Sequence, residues 1–264
     1  MSWIWSALMP HPPVLIPEVG RGRENEASKT LEGIERLTSS ISGERPEVLF
    51  VLSPHQPYAP GALFINTAES YRGSFAVYGA SDVKINAVSS GDDIDALSDV
   101  LSASGTSIYR KPFADLSRDQ GSTVPLYFLE RTWGSLPNVI IASPIGLSPE
   151  EAFSMGPTLA KIQSGKRWAL LASGDLSHRM TPDAPAGYEP EYAPVFESAV
   201  EEALKTCSPS PLLGLNRETL ERAGECGLRS VMAMLGLAGS GRKIDIFSHE
   251  WPFGVGYCTA LWRE

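Results

Sequence analysis

The chain has 264 residues, 42% of them hydrophobic, which is enough to bury a large core. Its formal net charge of −9 argues against a surface that binds nucleic acid or an anionic membrane. No apolar run approaches the roughly 18 residues that span a bilayer, and the first residues lack the basic start of a secretory signal. These properties predict a cytoplasmic protein that binds neither nucleic acid nor membrane.

Three cysteines, Cys207, Cys226 and Cys258, are an odd and sparse set. Such a set provides no disulfide framework and fits a reducing compartment. We therefore expect three free thiols, with Cys258 acting as a small buried apolar residue in a closing strand.

Short apolar runs recur along the chain and predict the strands of a buried sheet. Several are apolar throughout, as is typical of strands covered on both faces. The predicted strands span residues 4–9, 48–52, 61–67, 84–88, 139–143, 168–173, 243–248 and 254–262.

Helical stretches alternate with these runs, their apolar residues recurring at steps of three and four. The three clearest stripes begin at Ala27, Tyr192 and Leu228. The alternation predicts one α/β domain, residues 1–264, with a central, largely parallel or mixed sheet covered by helices on both faces. The proline-rich segment 179–194 is predicted to be a loop over a site.

The chain has only four histidines, and three of them follow predicted strands. His11 and His55 each lie beside prolines, in the segments MPHPP and LSPHQP, which restrict the backbone around them. His178 follows the strand at 168–173, three residues after Asp175, which could cap the turn or orient the imidazole. A single strand-end histidine is more often structural than functional. Three at the ligand-binding edge of an α/β sheet favour a site.

Two histidines and a carboxylate make up the facial triad that holds non-haem Fe(II) and leaves three positions open. Zinc can use the same ligands in a catalytic site. His11, His55 and Glu250 have this composition, although their spacing matches no local metal-binding motif. His249 and Glu250 are neighbours in a predicted strand, so they are expected to point to opposite faces.

The segments MPHPPVLIPEVG, SPH, ASGDLSHRMTPDAPAGY, GECGLRS and FGVGY together resemble the LigB superfamily, the catalytic subunits of class III extradiol ring-cleavage dioxygenases. Within it, the sequence is most similar to the Memo-like branch, which includes the AmmeMemoRadiSam system proteins. The resemblance runs from Met9 to Tyr257, and GDLSHR…TPDAPAGY is its most specific part.

The resemblance implies a role for each matching position. His11, His55 and Glu250 fall on the metal ligands, and His178 falls on the acid/base histidine, with Asp175 as its orienting partner. The implied cofactor is Fe(II), with zinc or another divalent metal as the alternative, and the implied substrates are a small aromatic diol and O2.

One position departs from the pattern: Gln120 stands where relatives commonly carry a histidine. Gln120 can hydrogen-bond a substrate hydroxyl or bound oxygen, but it cannot transfer a proton.

Three functions remain open from the sequence. The first is an extradiol-type dioxygenase, in which Gln120, Asp175 and His178 serve the reaction. The second, favoured by Gln120, is a Memo-like metal-binding accessory or interaction protein without ring cleavage. The third is a zinc hydrolase, which would also need a carboxylate base, for which the sequence offers only Asp119 or Asp175. Whether the chain forms a homo-oligomer also stays open.

Overall fold

A mixed β-sheet with helices on both faces forms the framework of the protein. The computed structural model describes residues 2–264. Its ten strands over these residues are β1 (Trp3–Met9), β2 (Val48–Leu52), β3 (Leu63–Asn66), β4 (Ser70–Phe75), β5 (Ala80–Val88), β6 (Ile108–Lys111), β7 (Asn138–Ser143), β8 (Trp168–Ser173), β9 (Ile244–Glu250) and β10 (Tyr257–Arg263). The nine α-helices over the same residues are α1 (Pro17–Gly20), α2 (Ser28–Ser40), α3 (Gly91–Ala103), α4 (Gln120–Trp133), α5 (Pro149–Leu159), α6 (Ala193–Thr206), α7 (Ser210–Leu213), α8 (Arg217–Ala223) and α9 (Leu228–Ala238).

The strand order is β4-β5-β7-β2-β8-β1-β10-β9, with β3 beside β7 and β6 beside β3. The central strands β7, β2, β8 and β1 are parallel to their neighbours in this set, whereas β10 and β9 close one side antiparallel. This confirms the predicted mixed sheet. The parallel strands also bring the carboxyl ends of β1, β2 and β8 to one edge, where ligands bind in sheets of this kind.

Each central strand contributes side chains to two separate cores, because successive residues of a strand point to opposite faces. In β2, Phe50 belongs to a core that also includes residues of α3, α5, α6 and α9, and the next residue, Val51, belongs to a second core that includes residues of α2 and α4. Both side chains are fully buried. The predicted covering of both faces by helices is therefore confirmed.

The sequence pattern located eight strands but missed β4 and β6. Strand β4 has the sequence SYRGSF, in which buried and exposed residues alternate at the edge of the sheet, so it lacks an apolar run. Strand β6 is mostly exposed. Of the predicted loop at residues 179–194, residues 179–192 contain neither helix nor strand, and the last two residues begin α6.

All three cysteines are free, and Cys258 is buried, as predicted. Across residues 2–264, none of the helices combines the length and the apolar composition required to cross a bilayer.

Candidate metal centre

His11, His55 and Cys226 converge beyond the carboxyl ends of the parallel strands. Their potential ligand atoms all lie within 4.8 Å of one another. The Nε2 atom of His11 is 3.1 Å from Nε2 of His55 and 3.6 Å from Sγ of Cys226. His11 is buried, Cys226 is partly buried and His55 is exposed, so solvent reaches this group from the His55 side. We call these three residues the ligand cluster.

His11 is held at the end of β1 by two polar contacts to the neighbouring strand end. Its backbone N–H donates to Oδ1 of Asp175 at 2.8 Å, and its Nδ1 lies 2.9 Å from Oγ of Ser173. Since Nδ1 is occupied by this hydroxyl, Nε2 is the nitrogen that faces the cluster. Outer contacts of this kind fix the ring orientation of metal-binding histidines.

His55 follows Pro54 in the turn after β2. Its backbone N–H donates to Oγ of Ser53 at 3.2 Å, and the Ser53 hydroxyl donates to Oδ1 of Asp119 at 2.5 Å. Helix α4 begins immediately after Asp119 and touches this turn. A Cβ atom on Gly121 would lie 2.3 Å from Ser53 Oγ, so only glycine permits the close approach of α4 to His55.

Asp119 is a buried carboxylate whose donors are all neutral. Besides Ser53, it accepts from Nε2 of Gln56 at 2.5 Å and from the backbone N–H and the hydroxyl of Ser122 at 3.0 and 2.6 Å. Gln56 is fixed in turn by Nδ2 of Asn66 at 2.9 Å. This arrangement places a negative charge beside the histidines in a poorly hydrated region, where it favours a positive charge at the cluster.

Cys226 reaches the cluster because two glycines allow two loops to touch. A Cβ atom on Gly174 would lie 2.3 Å from Cα of Gly227, so the loop after β8 and the loop before α9 are in backbone contact. The Cys226 N–H donates to the Asp175 carbonyl oxygen at 3.3 Å, and its thiol lies 3.5 Å from the same oxygen.

The environment shifts the pKa values of the cluster in directions that suit metal binding at the histidines. Burial, followed by the neighbouring His55, lowers the pKa of His11, and burial lowers the pKa of His55. Both rings are therefore neutral near pH 7, the form that binds metals. Burial and the nearby Asp175 raise the pKa of the Cys226 thiol, so metal-free Cys226 is protonated. Burial also raises the pKa of Asp175 to about 6.

Glu250, predicted from the sequence to be the third ligand, does not belong to the ligand cluster. It ends β9 opposite Tyr257 of β10, and its Oε1 accepts from the backbone N–H and the hydroxyl of Thr30, each at 2.7 Å. Its role as a ligand stays a prediction. His249 points elsewhere, since its Nε2 lies 2.6 Å from Oε2 of Glu197.

Asp175 and His178 lie on the loop that follows β8, next to the cluster. Within residues 2–264, no hydrogen bond joins the two side chains, because the Asp175 carboxylate binds the backbone of His11 instead. The Nδ1 atom of His178 is buried and has no partner among the described residues. Its backbone N–H donates to the Ala223 carbonyl oxygen at 3.2 Å. The predicted orientation of His178 by Asp175 is therefore not made through a hydrogen bond.

Gln120 is the first residue of α4, directly after Asp119 and before the glycine that contacts His55. Its Oε1 accepts from the Tyr78 hydroxyl at 3.2 Å. The amide nitrogen of Gln120 is thereby left as a donor, and the predicted role of this residue toward a substrate stays a prediction.

Sequence reasoning missed Cys226 and did not recognise that Asp119 binds Ser53 in the turn that carries His55. Cys226 lies in a loop between two helices, where no periodic pattern marks it. The signal that could have found it is the segment Gly224–Gly227, in which glycines flank a cysteine and permit close backbone approach. The helix-capping position of Asp119, three residues before Ser122, could have located that carboxylate.

Together these features define an α/β protein with a candidate metal site of two imidazoles and a thiol at the carboxyl edge of its sheet. A family model described as the catalytic LigB subunit of aromatic ring-opening dioxygenase matches residues 6–259. The chain therefore belongs to the LigB family.

Two individual proteins are similar to this chain. Protein CA_C1420 of Clostridium acetobutylicum is 31% identical over 268 residues, an alignment that covers 95% of this chain and 55% of that protein. The chain thus spans about half the length of this curated relative. The crystal structure of the uncharacterized protein JW3007 from Escherichia coli K12 has a TM-score of 0.67 at 16% identity. The structural match covers 98% of this chain and 99% of the Escherichia coli chain, and it shows that the two chains share a fold.

Proposed function

We propose that this protein binds one divalent metal ion, Fe(II), through His11, His55 and Cys226, and that it supports oxygen-dependent cleavage of a small aromatic diol. The observation that carries the proposal is the convergence of three ligand atoms within 4.8 Å at the carboxyl edge of the sheet. Family membership supplies the reaction class, since the matching family model describes aromatic ring-opening dioxygenases.

The donor set fits a transition metal. Imidazole nitrogen suits iron, copper and zinc, and thiolate suits soft or borderline metals. Three protein ligands leave positions open for other molecules. When bound, Fe(II) supplies the redox chemistry that activates dioxygen toward an aromatic diol. Because His55 is exposed, small molecules reach the site from its side.

The protein residues around the cluster orient groups and hold protons. The Ser173 hydroxyl and the Asp175 carboxylate fix His11, and Asp119 fixes the turn that carries His55. We propose that His178 takes up and returns the diol proton, because its ring belongs to the loop next to the cluster and Nδ1 has no partner among residues 2–264. Gln120 would donate to an oxygen atom of the substrate through its amide nitrogen.

Glu250 remains the alternative third ligand. The geometry favours Cys226, because its sulfur lies 3.6 Å from Nε2 of His11, whereas Oε1 of Glu250 is committed to Thr30. A thiolate would also neutralise one charge of the metal, as the predicted carboxylate would.

A second candidate function is metal binding without ring cleavage, as in a Memo-like accessory protein. Two observations favour it: Gln120 cannot transfer a proton, and the third potential ligand in the cluster is a thiol. Both candidates share the metal site and differ only in the reaction.

The experiment that tests the proposal is metal analysis of protein purified without oxygen, followed by measurement of oxygen uptake with a panel of catechols. Ring cleavage requires about one metal ion per chain and oxygen uptake that depends on the diol. Stoichiometric metal without oxygen uptake supports the accessory function, and the absence of tightly bound metal contradicts both.

A further inference from the structure

The chain contains a second group of buried titratable side chains that takes no part in the ligand cluster. Glu197 of α6 is 3% exposed, although it is a carboxylate. Its Oε2 lies 2.6 Å from Nε2 of His249 in β9, and its Oε1 accepts from the backbone N–H of Ser177 at 2.7 Å. Ser177 directly precedes His178, so the Glu197 carboxylate binds the backbone of the residue next to the proposed acid/base group.

The packing around Glu197 leaves room for its carboxylate beside Gly256. A Cβ atom on Gly256 would lie 2.0 Å from Oε1 of Glu197, so a side chain there would displace it. Gly256 in turn exchanges two backbone hydrogen bonds with the loop after β8: its N–H donates to the Ser177 carbonyl oxygen at 2.7 Å, and its own carbonyl oxygen accepts from Leu176 N–H at 2.8 Å. One carboxylate thus joins α6, the end of β9 and the loop that carries His178.

The loop depends on Glu197 for a donor that would otherwise be buried without a partner. Ser177 is fully buried, its hydroxyl donates to the Ala223 carbonyl oxygen at 2.8 Å, and its N–H meets only the Glu197 oxygen. A buried N–H without an acceptor costs about 1–3 kcal/mol, so without Glu197 the loop would rotate to find another acceptor. Such a rotation would carry the ring of His178 with it.

We propose that Glu197 is a positioning residue for His178: by holding the Ser177 N–H it fixes where the His178 imidazole stands relative to the ligand cluster. This inference rests on the proposed function for its chemical meaning, since His178 is the group assigned to proton transfer. The position of the ring, however, can be measured without metal and without a reaction.

The test is NMR of protein with isotope-labelled histidine, which gives separate ring signals for four residues. In Glu197→Ala, we expect the His178 ring signals to shift or to split into several sets, while the His11 and His55 signals stay close to those of the wild type. Glu197→Gln retains an acceptor for the Ser177 N–H and should restore a single set. Glu197→Asp is a milder change that keeps the charge but withdraws it by one methylene. If the alanine variant does not fold, the aspartate variant serves as the test, and its His178 signals should shift.

A matched control is Asp93→Ala, which removes another buried carboxylate that is paired with a basic side chain. Asp93 is 2% exposed and lies 2.6 Å from Nζ of Lys166. Its loss should lower thermal stability without moving the His178 signals. The inference is overturned if His178 signals are unchanged in Glu197→Ala and Glu197→Asp, or if Asp93→Ala moves them equally.

Because the spectra are recorded on metal-free protein, failure of the proposed metal function leaves this test intact. Conversely, metal binding at the cluster together with unchanged His178 signals in the Glu197 variants would leave the proposed function standing and contradict only the role of Glu197.

Discussion

The Nε2 atoms of His11 and His55 lie 3.1 Å apart, although 44 residues separate them in the sequence. Neither nitrogen is used by the outer contacts that fix the two residues, since Ser173 binds the other ring nitrogen of His11 and Ser53 binds the backbone of His55. Burial lowers the pKa of both rings, so two neutral imidazoles face one point.

Metal affinity should rise with pH because binding displaces the thiol proton of Cys226. Burial raises the pKa of this thiol, so the metal-free thiol is protonated at neutral pH and must lose its proton to bind. His11 and His55 are already neutral, and Asp175, with a pKa of about 6, is already ionised above pH 7. One released proton predicts an increase in affinity of about tenfold per pH unit between about pH 7 and 8.

Competition with a chromophoric chelator, with Zn(II) as the metal, measures this slope. Cys226→Ser should bind more weakly and with a flatter pH dependence, whereas Cys258→Ser, at a buried cysteine outside the cluster, should keep the full slope. An equal slope in Cys226→Ser would mean that another group releases the proton.

Gly227→Ala should weaken metal binding without removing any ligand. The backbones of Gly174 and Gly227 are in contact, so an added methyl group would separate the two loops and withdraw Cys226 from the histidines. Overpacking of this kind costs about 1–3 kcal/mol of stability. Gly43→Ala is the control, because no atom lies within 4 Å of the added carbon there, and titration with Zn(II) should distinguish the two variants.

Asp119→Asn should lower both stability and metal affinity. The change removes a buried negative charge beside the cluster and turns one acceptor into a donor that faces either the Ser122 N–H or the Gln56 amide nitrogen, neither of which can accept a hydrogen bond. We expect a loss of about 1–3 kcal/mol in the free energy of unfolding, the cost of a mispaired buried polar group. Chemical denaturation and metal titration measure the two effects, and unchanged affinity would exclude the proposed electrostatic role.

His178→Gln should leave the metal content near that of the wild type and reduce any ring-cleavage rate by about 10²-fold, the usual scale of lost acid–base catalysis. His178 is not in the ligand cluster, and Gln120 cannot replace it in proton transfer. Loss of metal would make His178 a ligand, and an unchanged rate would make it structural.

The sequence predicted the fold well because the apolar runs of the central strands record burial on both faces. Strand β2 occupies the predicted residues, and all of them are buried. His11 and His55 were also found from their strand ends and flanking prolines. Cys226 could not be predicted in the same way, because its position depends on contact between Gly174 and Gly227, which are 53 positions apart and belong to two loops without periodic patterns.

The loop after β8 illustrates a second limit of the sequence. The spacing of Asp175 and His178 suggested a direct orienting contact, but the Asp175 carboxylate binds the backbone N–H of His11 at 2.8 Å. The partner of the Asp175 carboxylate is a donor from another strand end, the His11 N–H. Sequence spacing within one loop contains no information about that donor.

The most direct test of the proposed metal centre is the metal content of four proteins purified without oxygen and dialysed against a chelating resin. We predict about one metal ion per chain in the wild type and in Glu250→Gln, and loss of most of it in His11→Ala and Cys226→Ala, with all four folded by circular dichroism. Full metal content in Cys226→Ala together with its loss in Glu250→Gln would contradict the ligand assignment and restore the carboxylate, and full content in His11→Ala would place the metal elsewhere in the protein.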